Sequence, residues 1–99
     1  MRIAVTEPQP TVRPYDEQAW AELPDARSGP IEVSLALVDA LHARWAALGR
    51  TLTPEQLTRL YHHPEHGQPM VLDATLAMYA WHGKHHVAHI TSLRERKGW

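Results

Sequence analysis

Cysteine is absent from this chain of 99 residues, which excludes a disulfide framework, a thiolate metal ligand and a cysteine nucleophile. Any metal site must be built from His, Asp or Glu. Phenylalanine is missing too, whereas tryptophan occurs four times, so Trp20, Trp45 and Trp81 are expected to carry much of the aromatic packing. Neither sign of charge prevails. Ten Lys and Arg stand against eleven Asp and Glu, and without a basic patch nucleic acid is not an expected partner. No apolar run approaches the roughly 20 residues needed to span a bilayer, and the first residues hold no apolar core followed by a small-residue cleavage site. The expectation is a cytoplasmic protein with no membrane partner, folded as a single domain over residues 1–99.

Histidine is what the chain has in abundance. Of eight in all, four fall within Trp81-His82-Gly83-Lys84-His85-His86-Val87-Ala88-His89-Ile90. On a helix turning about 100° per residue, with His82 at zero, His85, His86 and His89 lie near 300°, 40° and 340°. One face carries all four imidazoles. Leu72, Leu76, Tyr79, Ala80, Gly83, Val87 and Ile90 run from about 60° to 160°, so an apolar stripe borders the histidines on the side of His82 and His86. Imidazoles spaced i, i+4 lie about one turn apart, close enough for one divalent ion to take a nitrogen from each. His82 with His86 is one such pair and His85 with His89 the other. The first borders the apolar stripe and is expected nearer the core, where rotamers are fixed and water is restricted. A solvated polar face is the alternative reading of the same cluster. Two ligands also fall short of the three that a catalytic zinc-type site usually takes from protein. His82-x-x-x-His86 has the spacing of a helical zincin motif, but Gly83 and Lys84 stand where that motif needs its Glu, which disfavours metalloprotease chemistry.

Along the chain, Pro8, Pro10, Pro14, Pro24 and Pro30 make residues 1–30 an irregular strap, with room for one short helix over residues 16–23 and Trp20 as its anchor. Pro30 suits the start of a long helix in which Ile31, Leu35, Val38, Leu41, His42, Trp45 and Leu48 recur at helical spacing, and Gly49 ends it. His42 on that face reads as a hydrogen-bonded core histidine. Thr53-Pro54-Glu55-Gln56 signals a short helix to about Leu60. Tyr61-His62-His63-Pro64-Glu65-His66-Gly67-Gln68-Pro69 reads as a tight reversal with a two-stranded ribbon, its histidines solvated. Asp73 is placed to cap a last helix to about Lys97, whose Arg94, Arg96 and Lys97 suit the negative end of its dipole. Gly83 within it lowers helix stability by about 1 kcal/mol, which points to close approach of another helix or a ligand.

Arg13-Pro14-Tyr15-Asp16-Glu17, Trp20-Ala21-Glu22-Leu23-Pro24, His63-Pro64-Glu65-His66-Gly67, and Tyr79-Ala80-Trp81-His82-Gly83-Lys84-His85-His86 with His89-Ile90 together resemble the YfiT branch of the DinB superfamily. The resemblance covers nearly the whole chain. It implies an all-α fold, a four-helix bundle of up-down-down-up connectivity, with a divalent metal, zinc or nickel, at one end and a cytoplasmic homodimer. It implies a metal-dependent hydrolase of a small-molecule substrate, or a thiol S-transferase that uses a low-molecular-weight thiol such as bacillithiol. Its two metal ligands on the last helix fall on His82 and His86. His85, His89 and Tyr79 are left as secondary metal or substrate contacts, with a core role open for Tyr79. The family's third ligand is a histidine on the second helix, upstream of the Arg-Pro-Tyr-Asp motif. By the resemblance this chain is the C-terminal part of such a protein, lacking the first two helices, so His42, His62, His63 and His66 do not supply that ligand and no general base is assigned. Two long amphipathic helices and a strap cannot enclose the stripes a bundle covers. Either two copies pair to rebuild a bundle, or the exposed face leaves the chain aggregating or partly molten; the competing function is a non-catalytic helical dimerisation or metal-binding fragment.

Overall fold

The computed structural model describes residues 1–99 and is 65% helix. In chain order the elements are α1 (Arg2–Thr6), α2 (Glu17–Ala21), α3 (Pro24–Ser28), α4 (Ile31–Gly49), α5 (Pro54–Leu57), β1 (Leu60–Tyr61), β2 (Met70–Val71) and α6 (Leu72–Lys97). They divide into two compact units, one of Met1–Val12 with Glu55–Trp99 and one of Arg13–Pro54.

In the first unit, the reversal expected around Pro64 and Gly67 forms an antiparallel hairpin in which Leu60 pairs with Val71 and Tyr61 with Met70. The N-terminal segment joins it. His62 donates its backbone N–H to Pro10 O at 2.8 Å and accepts from Val12 N–H at 2.9 Å, a parallel bridge of Thr11 with His62. Arg59 reaches from the same region to Glu7 O at 2.8 Å. The buried hydrophobic residues Ala4, Tyr61 and Leu72 belong to this unit, with Leu72 only 1% exposed, and Thr75 is buried beside them in sequence. Tyr61 O–H donates to Thr75 Oγ1 at 2.8 Å, and that hydroxyl donates to Val71 O at 2.9 Å. A buried hydroxyl without a partner costs about 1–3 kcal/mol, so this relay holds the hairpin to the first turn of α6.

The start of α6 departs from expectation. Asp73 lies inside the first turn, and Val71 is the N-cap with no side-chain cap bond. Strand β2 runs straight into the helix, and one of the open donors at its start, the Leu72 N–H, is satisfied by Arg59 O at 3.0 Å in place of a side-chain cap. The far end follows the pattern, with Gly98 in the left-handed conformation at φ 67 after Arg94, Arg96 and Lys97. Gly83 contradicts its expected role, because a Cβ built there meets nothing within 4 Å. Gly83→Ala is therefore expected to stabilise the first unit by about 1 kcal/mol, read as a higher denaturant midpoint at unchanged slope.

In the second unit, α2 is capped by the Asp16 carboxylate, which accepts from Ala19 N–H at 2.8 Å. A further helix, α3, was not expected. Pro24 starts it instead of breaking the chain, since at the first helical position the missing N–H has no partner to lose. Helix α4 has the predicted extent, but none of its residues is buried, and His42 is exposed rather than a core histidine. The expected tryptophan anchors also stand open: Trp20 is 61% exposed and rests on Tyr15 with ring centroids 4.6 Å apart. Trp45 is half-buried. Helix α5 stops at Leu57, three residues short of the expected end, because Leu60 is taken into the hairpin.

Candidate metal centre

Helix α6 carries all four clustered histidines in one uninterrupted run. The two i, i+4 pairs form as their spacing predicts. His82 Nε2 lies 2.8 Å from His86 Nε2, and His85 Nε2 lies 2.9 Å from His89 Nε2. Within each pair one ring nitrogen donates and the other accepts. Ring centroids within the pairs are 4.5 and 4.4 Å apart, while His85–His86 and His86–His89 are 6.0 and 6.4 Å apart. No three His, Asp or Glu side chains meet in a group that holds a metal. The shared face thus consists of two separate pairs, not one four-ring cluster.

Each pair suits chelation. Two nitrogens about 2.0–2.1 Å from a metal and at right angles to each other lie about 2.9 Å apart, close to both observed separations. Both Nε2 lone pairs are needed for this, so each ring must carry its proton on Nδ1.

The expected contrast in burial between the pairs does not hold. Residues 77–97 of α6 are exposed throughout, His82 and His86 included, so neither pair lies nearer a core. Tyr79, one turn before His82, is 53% exposed and is not a core tyrosine. The other histidines stay apart: His62 and His63 are half-buried at the hairpin, where the sequence suggested solvated rings, and His66 is exposed. His63 Nδ1 accepts from Glu65 N–H at 3.3 Å.

Three neighbours were not singled out for the site from the sequence. Trp81 stacks on His85, with centroids 4.5 Å apart and planes 19° apart. Ser92 and Arg96, with His85, Ala88 and His89, line an open groove of about 220 Å³. Their spacing from His85, at i+7 and i+11, is the helical signal that could have found them. The His85 imidazole titrates below the usual histidine range, first through desolvation and then through repulsion by charge on His89, His86 and His82. Its folded state therefore favours the neutral ring, and its contribution to stability declines as the pH falls through about 6.5 toward the lower folded value. Proton NMR of the ring is expected to place the His85 midpoint below 6.5.

The sequence model of the DinB superfamily matches residues 1–90. A relative from Bacillus mycoides strain KBAB4, named as a candidate metal-dependent hydrolase, is 51% identical over 98 residues, which cover 99% of this chain and 56% of the relative. A similarly named protein of Oceanobacillus iheyensis is 50% identical over 99 residues, covering 100% of this chain and 56% of its own. Among solved structures, YfiT from Bacillus subtilis, described as a probable metal-dependent hydrolase with an unusual four-helix bundle topology, matches with a TM-score of 0.88 and 47% identity. That match covers 99% of this chain and 56% of YfiT. The chain thus spans a little over half the length of these relatives, and its all-α fold is that of the corresponding part of the bundle. The chain belongs to the DinB superfamily, and its likeness within that superfamily is to the YfiT branch.

Proposed function

We propose that the chain is the metal-holding part of a DinB-type metal-dependent hydrolase, with His82 and His86 as its ligands to a divalent ion, zinc or nickel. The observation that carries this reading is the convergence of their Nε2 atoms to 2.8 Å on the last helix, together with the names of the relatives. A divalent ion held by His82 and His86 would supply Lewis acidity for hydrolysis of a small-molecule substrate. The chain's own residues set the conditions. With both ring protons on Nδ1 in place of the one shared between the Nε2 atoms, His82 and His86 offer two lone pairs one helical turn apart. Tyr79, one turn before His82, is the residue we assign to hydrogen-bond a substrate. The pair provides two of the three protein ligands usual in a catalytic site, so a third comes from outside α6. Exposed Ile31, Leu35 and Leu41 on α4, at 64, 59 and 58%, support a homodimer as part of the proposal, because apolar surface of this extent is normally covered.

The test is metal content by elemental mass spectrometry after dialysis, comparing wild type with His82→Ala plus His86→Ala, followed by ester and amide hydrolysis screens. A fall in metal content together with loss of turnover in the double variant supports the reading. Equal metal in the two proteins overturns it. Consumption of a chlorobimane that depends on bacillithiol assigns the same pair to thiol S-transfer instead. Metal without turnover in either screen assigns it to a non-catalytic metal-binding fragment.

A further inference from the structure

We infer that His85 and His89 form a second divalent-metal site, separate from the His82–His86 pair and open to an anionic co-ligand held by Arg96 and Ser92. Three observations lead there. The His85 and His89 Nε2 atoms converge to 2.9 Å, close to the edge that two imidazoles share on one metal. The rings of the two pairs are segregated, at 6.0 and 6.4 Å across against 4.5 and 4.4 Å within, so one ion held by either pair leaves the other free. Trp81 stacks on His85 at 4.5 Å, which restricts that ring to the rotamer in which its nitrogen meets His89.

The surroundings of this pair differ from those of the first. A groove of about 220 Å³ opens directly beside it, bounded by Ala88, whose methyl leaves room, and by Ser92 and Arg96 along the next two turns. A metal held by two neutral imidazoles keeps most of its coordination positions for water or anions. A guanidinium repels a bare cation but favours one that carries a carboxylate, phosphate or chloride, and its planar donors match an oxyanion in two-point contact. The groove therefore selects a metal together with an anion, not the metal alone. A site of this kind, with two protein ligands, is expected to bind Ni²⁺ in about the micromolar to hundred-micromolar range, well short of a four-ligand structural site. It uses no atom of the His82–His86 pair and does not rest on the function proposed for that pair.

The experiment is calorimetric titration of the full chain with Ni²⁺, in chloride and then in phosphate at equal ionic strength. Wild type is compared with three variants: His82→Ala/His86→Ala, His85→Ala/His89→Ala, and the fourfold variant that combines them. The fourfold protein measures the background from His42, His62, His63 and His66. All the altered positions are exposed and alanine is the better helix former, and circular dichroism of each variant verifies the fold. The expected result is one binding event in His82→Ala/His86→Ala beyond the fourfold background, lost on removal of His85 and His89. Arg96→Gln should weaken that event at least about threefold in phosphate and by less in chloride, which offers the guanidinium no two-point contact. The inference is overturned if His82→Ala/His86→Ala binds no more Ni²⁺ than the fourfold variant. It is equally overturned if wild type binds a single ion that either double substitution removes, which would make the four rings one site. Failure of the first pair shows separately, as a His85→Ala/His89→Ala protein that binds only background metal.

Discussion

With His85 and His89 already replaced by alanine, replacing His82 alone with alanine is expected to weaken metal binding by about a hundredfold to a thousandfold, and replacing His86 alone to do the same. The size follows from chelation. Structural zinc sites with four protein ligands owe roughly 10–16 kcal/mol to the set, or about 2.5–4 kcal/mol for each, and each 1.4 kcal/mol is tenfold in affinity. Loss of either ring also removes the partner that fixes the other, because the two Nε2 atoms meet each other at 2.8 Å. The remaining imidazole then samples several rotamers and must be ordered again on binding. Competition against a chromophoric chelator measures the change. His42→Ala, on exposed α4, is the control and should leave the affinity within about twofold, since no ligand role attaches to it. The two single substitutions should not add, because the first already destroys the chelate.

Leu72→Ala is expected to destabilise the unit of Met1–Val12 and Glu55–Trp99 by about 2–5 kcal/mol. Leu72 is the one large side chain that is fully enclosed, at 1% exposure, and Ala4, Pro10, Tyr61 and Thr75 are buried with it. Single domains retain only about 0.05–0.15 kcal/mol per residue in net stability, so a loss of this size removes a large share of what holds the unit together. The position amplifies the effect. Leu72 is where β2 becomes α6, and its N–H is bonded to Arg59 O, so disorder there releases both the hairpin and the base of the histidine helix. Chemical denaturation followed by tryptophan fluorescence and by circular dichroism should show a lower midpoint in both signals. Leu72→Met, close in volume, should cost less than about 1.5 kcal/mol.

The histidine pairs and the two long helices could be read in the sequence because both rest on local periodicity. Pro30 and Gly49 bracket α4, and i, i+4 spacing alone brings His82 to His86 and His85 to His89. Features that depend on what lies across the chain were not legible in that way. Asp73 has the chemistry of a cap but is displaced by a hairpin that delivers Arg59 O to the helix start. Pro24 reads as a breaker until its register as a first helical residue is known. The burial expected for Trp20, Trp81 and His42 assumed an apolar face covered by other elements, whereas these side chains face solvent. At the site, spacing gave the four rings one face, but their division into two pairs depends on side-chain rotamers, as does the stacking of Trp81 on His85.

The bridge between Thr11 and His62 bears on how such a chain tolerates change. It fastens the first dozen residues to the hairpin that feeds α6, so the unit with the histidines is assembled from two stretches of sequence separated by Arg13–Pro54. Loop-closure entropy grows only with the logarithm of length, about 0.6 kcal/mol for each doubling. Residues inserted into the excursion, or deleted from it, are therefore nearly neutral for the histidine helix, whereas a one-residue shift in the register of Thr11 against His62 is not. Length variation is thermodynamically permitted in one half of the chain and resisted in the other.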